Sequence, residues 1–186
     1  MTYHIAIDVS SVLRRTVCEL YSNLVTRPTG ATVRRAIEEA LVGLPEPNVT
    51  VIDFSHVTLL DFSCADEIVG KLLDAQQRAD GRPRTYFLIR GLHEPYLEAI
   101  EAVLERYDLA ALVLDPTGNV HLVGTLDDGA RRAWHVVRQR GAVQVQDIEA
   151  ELGEPSVPWE EVLSQLSSRR LIVRRDDGRV ALPHAS

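Results

Sequence analysis

A chain of 186 residues with 45% apolar content can bury a real core and has room for one large domain or two small ones. Its net charge of −7 argues against a protein that coats nucleic acid indiscriminately, which needs a strongly basic surface. No apolar run approaches the roughly 18 residues that span a bilayer, the basic and apolar start of a signal peptide is missing, and Cys18 and Cys64 make neither a metal-ligand spacing nor a disulfide framework; the expectation is a cytoplasmic protein that needs no membrane, metal or cofactor.

Tyr3 to Val9 reads as a strand, and Val12 to Val25 as a helix with apolar residues at 13, 17, 20, 21 and 24. Arg27-Pro28 breaks that helix, because the residue before proline is pushed to extended geometry. Thr29 is then the expected N-cap of a helix over Gly30 to Val42, closed by Gly43-Leu44-Pro45. Val49 to Phe54, rich in β-branched residues, is a buried strand. After the polar break at Ser55-His56, a second apolar run, Val57 to Leu60, leads through Asp61-Phe62-Ser63 into a helix whose apolar positions are Ala65, Ile68, Val69 and Leu72. Ser63 and Asp66 spell S-x-x-D, close to a reciprocal capping box.

Ala79 to Pro83 is a turn cluster. Thr85 to Ile89 is a strand, His93 to Tyr107 a helix, and Ala110 to Leu114 a strand that the Asp115–Asn119 turn returns as a hairpin through Val120 to Val123. Alternating strands and helices of this kind give a sheet layered with helices. Beyond Gly124 the character changes. Asp128 to Arg140 is a helix ended by Gly141, Val145 to Leu152 a second stopped by Gly153, and Ser156 caps a third with Trp159, Val162, Leu163 and Leu166 on its buried face. Leu171 to Val173 and Arg179 to Leu182 then flank the tight turn Asp176-Asp177-Gly178. The expected domains are 1–124 and 128–186. Residues 1–126 carry 11 basic and 17 acidic groups, whereas 127–186 carry nine and ten, with the arginines bunched.

The stretch VIDFSHVTLLDFSCADEIVGKLL resembles the core of STAS domains, the anti-sigma-factor antagonist fold, and is closest to a STAS-like branch with a D-F-x-x-V strand, an F-x-[AD]-[DE]-E helix start and a T-R motif matched by Thr26-Arg27. The likeness spans residues 12–115, with specific residues confined to about 25 positions. Asp61 then matches the family aspartate, Ser63 the serine that partner kinases phosphorylate, and Gly70 a helix glycine. The sequence departs from the pattern at Phe62, at Cys64 and in the acidic pair Asp66-Glu67. The resemblance implies an α/β STAS-like sheet with covering helices and a protein partner of the serine-kinase or histidine-kinase-like ATPase class, docking on Asp61, Phe62, Ser63, Cys64, Asp66 and Glu67. Read from the residues alone, Ser63 is a helix cap, and a phosphate on it would meet repulsion from Asp61, Asp66 and Glu67. A thiol in a first helical turn can ionise early, but carboxylates around Cys64 oppose that and a buried inert cysteine is the plainer reading. Arg27 with Thr29-Gly30 is either an anion-binding helix start or a surface arginine beside a cap. His56 and His93 lack ligand-spaced partners, so no chemistry is assigned to them.

Residues 128–183, with GAVQVQDIEAELG, a cap, VPWEEVLSQL and an arginine-flanked hairpin, resemble the winged form of helix-turn-helix domains in bacterial and archaeal regulators. Were its third helix to enter a major groove, Glu161, Ser164, Gln165 and Ser168 would face outward, with Arg169, Arg170, Arg174, Arg175 and Arg179 on the phosphates. Glu160 and Glu161 would repel them. Three functions follow. The first is a non-enzymatic regulator coupling partner docking to the winged helix; the second is a DNA-binding transcriptional regulator with an N-terminal sensor. The third, an enzyme using the Asp61/Ser63/Cys64 junction, lacks a neighbouring base, a phosphate loop and a metal motif.

Overall fold

The computed structural model describes residues 2–19, 22–78, 85–154 and 156–183, and these divide into two compact units, one running to Thr125 and the next starting at Leu126. The turn cluster expected at Ala79 to Pro83 lies outside the described residues.

The first unit is an α/β layer. Strands β1 (Tyr3–Asp8), β3 (Asn48–Asp53), β5 (Thr85–Arg90) and β6 (Ala110–Leu114) run parallel in that spatial order, and β7 (Val120–Gly124) closes the sheet antiparallel to β6 through the expected hairpin. Each parallel strand lies beside its predecessor in the chain, so right-handed crossovers deposit every connecting helix on one face. The core records this. Ile7, Ile52, Phe87, Ile89 and Ala111 from that face pack with Val12 and Leu13 of α1 (Val9–Thr16), Val33 and Ile37 of α2 (Arg27–Leu41), and Ile100, Val103 and Leu104 of α5 (Glu94–Arg106).

Three boundaries differ from the sequence reading. The first helix runs over Val9–Thr16, because the Asp8 carboxylate accepts from Ser10 N–H (3.0 Å) and Ser11 Oγ (2.7 Å) and starts it there. Asn23–Leu24, expected inside that helix, is strand β2, paired parallel with β4 (Leu59–Leu60). And α2 begins at Arg27, capped by the Thr26 hydroxyl, with Pro28 in its first turn. Proline breaks a helix interior, but in the first turn its missing N–H has no partner to lose.

The central helix is continuous but irregular: α3 (Phe62–Ala65), a π-helical turn (Asp66–Gly70) and α4 (Lys71–Arg78). Two glycines let its neighbours close in. A Cβ on Gly30 of α2 would lie 3.0 Å from Cys64 Cα, and one on Gly70 would lie 2.6 Å from Val103 and 2.9 Å from Tyr107. The π-turn is thus clamped between α2 and α5, and every residue from Cys64 to Gly70 is buried.

The second unit holds α6 (Asp128–Arg140), α7 (Val145–Leu152), α8 (Trp159–Ser168) and the hairpin β8 (Val173–Arg174)–β9 (Val180–Ala181). Val143 bridges to Val180 on β9. Trp134, Ile148, Trp159, Leu163, Leu166, Leu171 and Ile172 are all buried. Val162, expected on the buried face of α8, is only partly covered, and that helix starts after Pro158 with no side-chain cap, so Ser156 is a turn residue. Among the described residues no helix is long and apolar enough to cross a membrane, and no group of three histidine, cysteine or acidic side chains could hold a metal.

Candidate functional site

The β4–α3 junction is set by a tertiary contact. Asp61 N–H donates to Leu24 O (2.9 Å), which holds Asp61 extended at the end of the β2–β4 ladder (φ −88°, ψ 166°). From there its carboxylate accepts from Cys64 N–H at 2.8 Å and from Ser63 Oγ at 2.9 Å. Asp61 is therefore the N-cap. Ser63 is no cap, and the box with Asp66 does not form; the Ser63 hydroxyl, half-buried, is a donor to the cap instead.

The other candidates separate by burial. Phe62 is 41% exposed and Leu59, three residues back on β4, is 48% exposed, two of the few large apolar side chains exposed among the described residues. Cys64 is fully buried with Sγ donating to Thr26 O (3.1 Å). Burial, aided by the negative Asp61, pushes its thiol up to about 12, so no reactive thiolate forms.

Asp66 and Glu67 are buried too (1% and 2% exposed). Expected at the surface, they face the two clamping helices instead. Arg27 Nη1 bridges them, 2.6 Å from Asp66 and 2.8 Å from Glu67, while Arg106 lies 3.7 Å from Asp66, Arg34 lies 3.6 Å from Glu67, and Lys71 pairs with Glu67. Burial alone would raise both carboxyl pKa values. The hydrogen bonds from Arg27 to Asp66, and from Lys71 and Arg27 to Glu67, outweigh it and hold both below their ordinary values. Two readings change with this. Arg27 is neither an anion receptor nor a free surface arginine, and a phosphate on Ser63 would be opposed by Asp61 alone, since Asp66 and Glu67 already have cations. The surface available for docking narrows to Leu59, Asp61, Phe62 and Ser63.

A second polar cluster, missed in the sequence, lies where β1, β3 and β5 end. Asp8, Asp53 and Arg90 are register partners. Arg90 Nε donates to Asp53 (3.0 Å), Ser55 Oγ does so at 2.6 Å, and His56 Nδ1 is 3.6 Å from Asp8. Each carboxylate is occupied in starting a helix or a turn.

On the second unit, Ser164, Gln165, Ser168 and Glu161 of α8 are exposed, as are Arg174, Arg175 and Arg179 of the hairpin, whereas Arg169 and Arg170 are partly covered. Arg174 is engaged: its Nη2 donates to Glu160 (2.8 Å) and to Ser164 Oγ (3.1 Å). Arg179 lies 3.8 Å from Asp177. No family model matches the chain, and no curated protein matches it either.

Proposed function

We propose that the chain is a regulatory protein-interaction module, in which a STAS-like unit docks a partner through the β4–α3 junction and a winged-helix unit passes the outcome on. The observation that carries this is the exposure of Leu59 and Phe62 at the junction that holds the Asp61–Ser63 hydrogen bond. Apolar side chains held outward around a polar centre are what a docking surface desolvates on binding. The resemblance adds a partner of the serine-kinase or histidine-kinase-like ATPase class, with Ser63 as the residue such a partner would modify. Affinity capture from native cells with wild type, Phe62→Ala and Ser63→Glu tests the reading. Wild type should retain an ATPase of that class or a transcription component, and Phe62→Ala should lose it; capture that neither variant alters sinks the proposal.

A DNA-binding regulator with an N-terminal sensor is the second reading, favoured by the exposed Arg175 and Arg179. It predicts an affinity that falls steeply with salt. Against it, Arg174 is already spent on Glu160 and Ser164. An enzyme working through the junction is the weakest reading, because the Cys64 thiol stays protonated and the Ser63 hydroxyl donates to a cap rather than to a base.

A further inference from the structure

Strand β1 forms one edge of the five-stranded sheet. Tyr3 N–H donates to Pro47 O at 3.1 Å, and the register with β3 runs unbroken from Tyr3 opposite Asn48 to Asp8 opposite Asp53. Successive residues of a strand send their backbone groups to opposite sides. Tyr3, Ile5 and Ile7 therefore bond to β3, while His4 and Ala6 aim N–H and C=O away from the sheet. Among the described residues no strand pairs with that outer side. Tyr3 and Ala6 are exposed, and His4 and Ile5 are half-buried. The devices that blunt an edge are missing: β1 holds no proline, no lysine and no bulge.

The strand is also complementary to itself. Laid antiparallel to a second copy about a two-fold axis at Ala6, it sets Ala6 against Ala6, Ile5 against Ile7 and His4 against Asp8. The His4 ring makes no hydrogen bond or ion pair among the described residues. Asp8, 33% exposed at its side chain, accepts from Ser10 N–H and Ser11 Oγ and keeps further lone pairs. We propose that the β1 edge pairs antiparallel with a second copy of this chain, joining two five-stranded sheets into one continuous sheet. Each Ala6 N–H donates to the other copy's Ala6 O, and a His4–Asp8 pair closes either end. The contact is the same patch on both copies, so association stops at a dimer. A six-residue edge covers less than the roughly 1,200–2,000 Å² of a standard interface, so dilution dissociates it. This inference rests on β1 alone and stands whether or not the β4–α3 junction docks an ATPase.

Sedimentation velocity of the full chain across the micromolar range tests it, together with amide hydrogen exchange by NMR. Dimer should replace monomer as concentration rises. Over the same range the His4 and Ala6 amides should gain protection, while those of Ile5 and Ile7, already bonded to β3, should not change. Ala6→Pro removes an outward N–H without touching the β3 ladder, a position where an edge strand tolerates proline; it should abolish the dimer. His4→Glu and His4→Arg leave the backbone untouched and carry the test if the proline variant fails to fold. His4→Glu sets like charges opposite each other twice and should weaken the dimer about tenfold, whereas His4→Arg should preserve it. A chain that stays monomeric throughout overturns the proposal. So does a dimer that folded Ala6→Pro or His4→Glu leaves intact, or one that leaves the His4 and Ala6 amides unprotected.

Discussion

At the scale of single residues, the junction turns on which of two good capping residues takes the cap. Asp61 and Ser63 both suit the position, and the Leu24 carbonyl decides by fixing the Asp61 backbone. Asp61→Ala should therefore cost about 0.5–2 kcal/mol in urea denaturation, and Ser63→Ala less than about 0.5 kcal/mol, the usual range for a surface change; the reverse order would restore Ser63 as the cap. The buried pair gives a pH prediction. Asp66 and Glu67 have folded pKa values below their ordinary 3.8 and 4.5, so the stability they contribute is complete above those values and is lost as pH falls through the lower, folded ones. The urea midpoint should hold from neutral pH down to about 5 and then fall. In an Asp66→Asn, Glu67→Gln double variant the fall should be shallower, and an unchanged slope would place the acid-sensitive groups elsewhere.

At the scale of elements, the π-turn and the two glycines act together. The clamp works only because Gly30 and Gly70 present no Cβ to Cys64 and to Val103 and Tyr107. Gly70→Ala should destabilise by about 1–3 kcal/mol, the ordinary cost of overpacking a filled interior, even though alanine is the better helix former. A stabilised Gly70→Ala, by the same denaturation measurement, would mean that α5 is free to move away. Much at this scale could be read from the sequence. Strand β3 is rich in β-branched residues, β5 and β6 hold the unbroken apolar runs Tyr86 to Ile89 and Ala110 to Leu114, and α6 and α7 begin and end where their periodicity, Gly141 and Gly153 place them. What could not be read has local causes. A two-residue strand such as Asn23–Leu24 is too short to show a period, and Asp8 looks like a polar intruder in a strand when it is the cap of the next helix.

For the whole molecule, two surfaces of different chemistry stand on the two units: an apolar pair at the β4–α3 junction on the first and the exposed arginines Arg175 and Arg179 on the second. The reading predicts that they are separable. Phe62→Asp should abolish ATPase-class capture, while an Arg175→Ala, Arg179→Ala double variant should leave that capture within about twofold of wild type, because changes that share no partner act additively. Capture lost in the arginine variant as well, measured in the same affinity experiment, would show that the second unit contributes to docking.

The sequence by itself determined the alternation of strands and helices, the change of character near Gly124 and the absence of basic residues across α7 and α8, since these follow from local periodicity, turn chemistry and composition. Only the tertiary structure decided what the acidic junction is. Arg27 lies 39 residues from Asp66 along the chain and 2.6 Å from it in space; no pattern within one helix announces that pair. Packing α2 and α5 against the π-turn turned three of the expected docking residues inward, and left Leu59 and Phe62, which a hydrophobic pattern alone would bury, facing solvent.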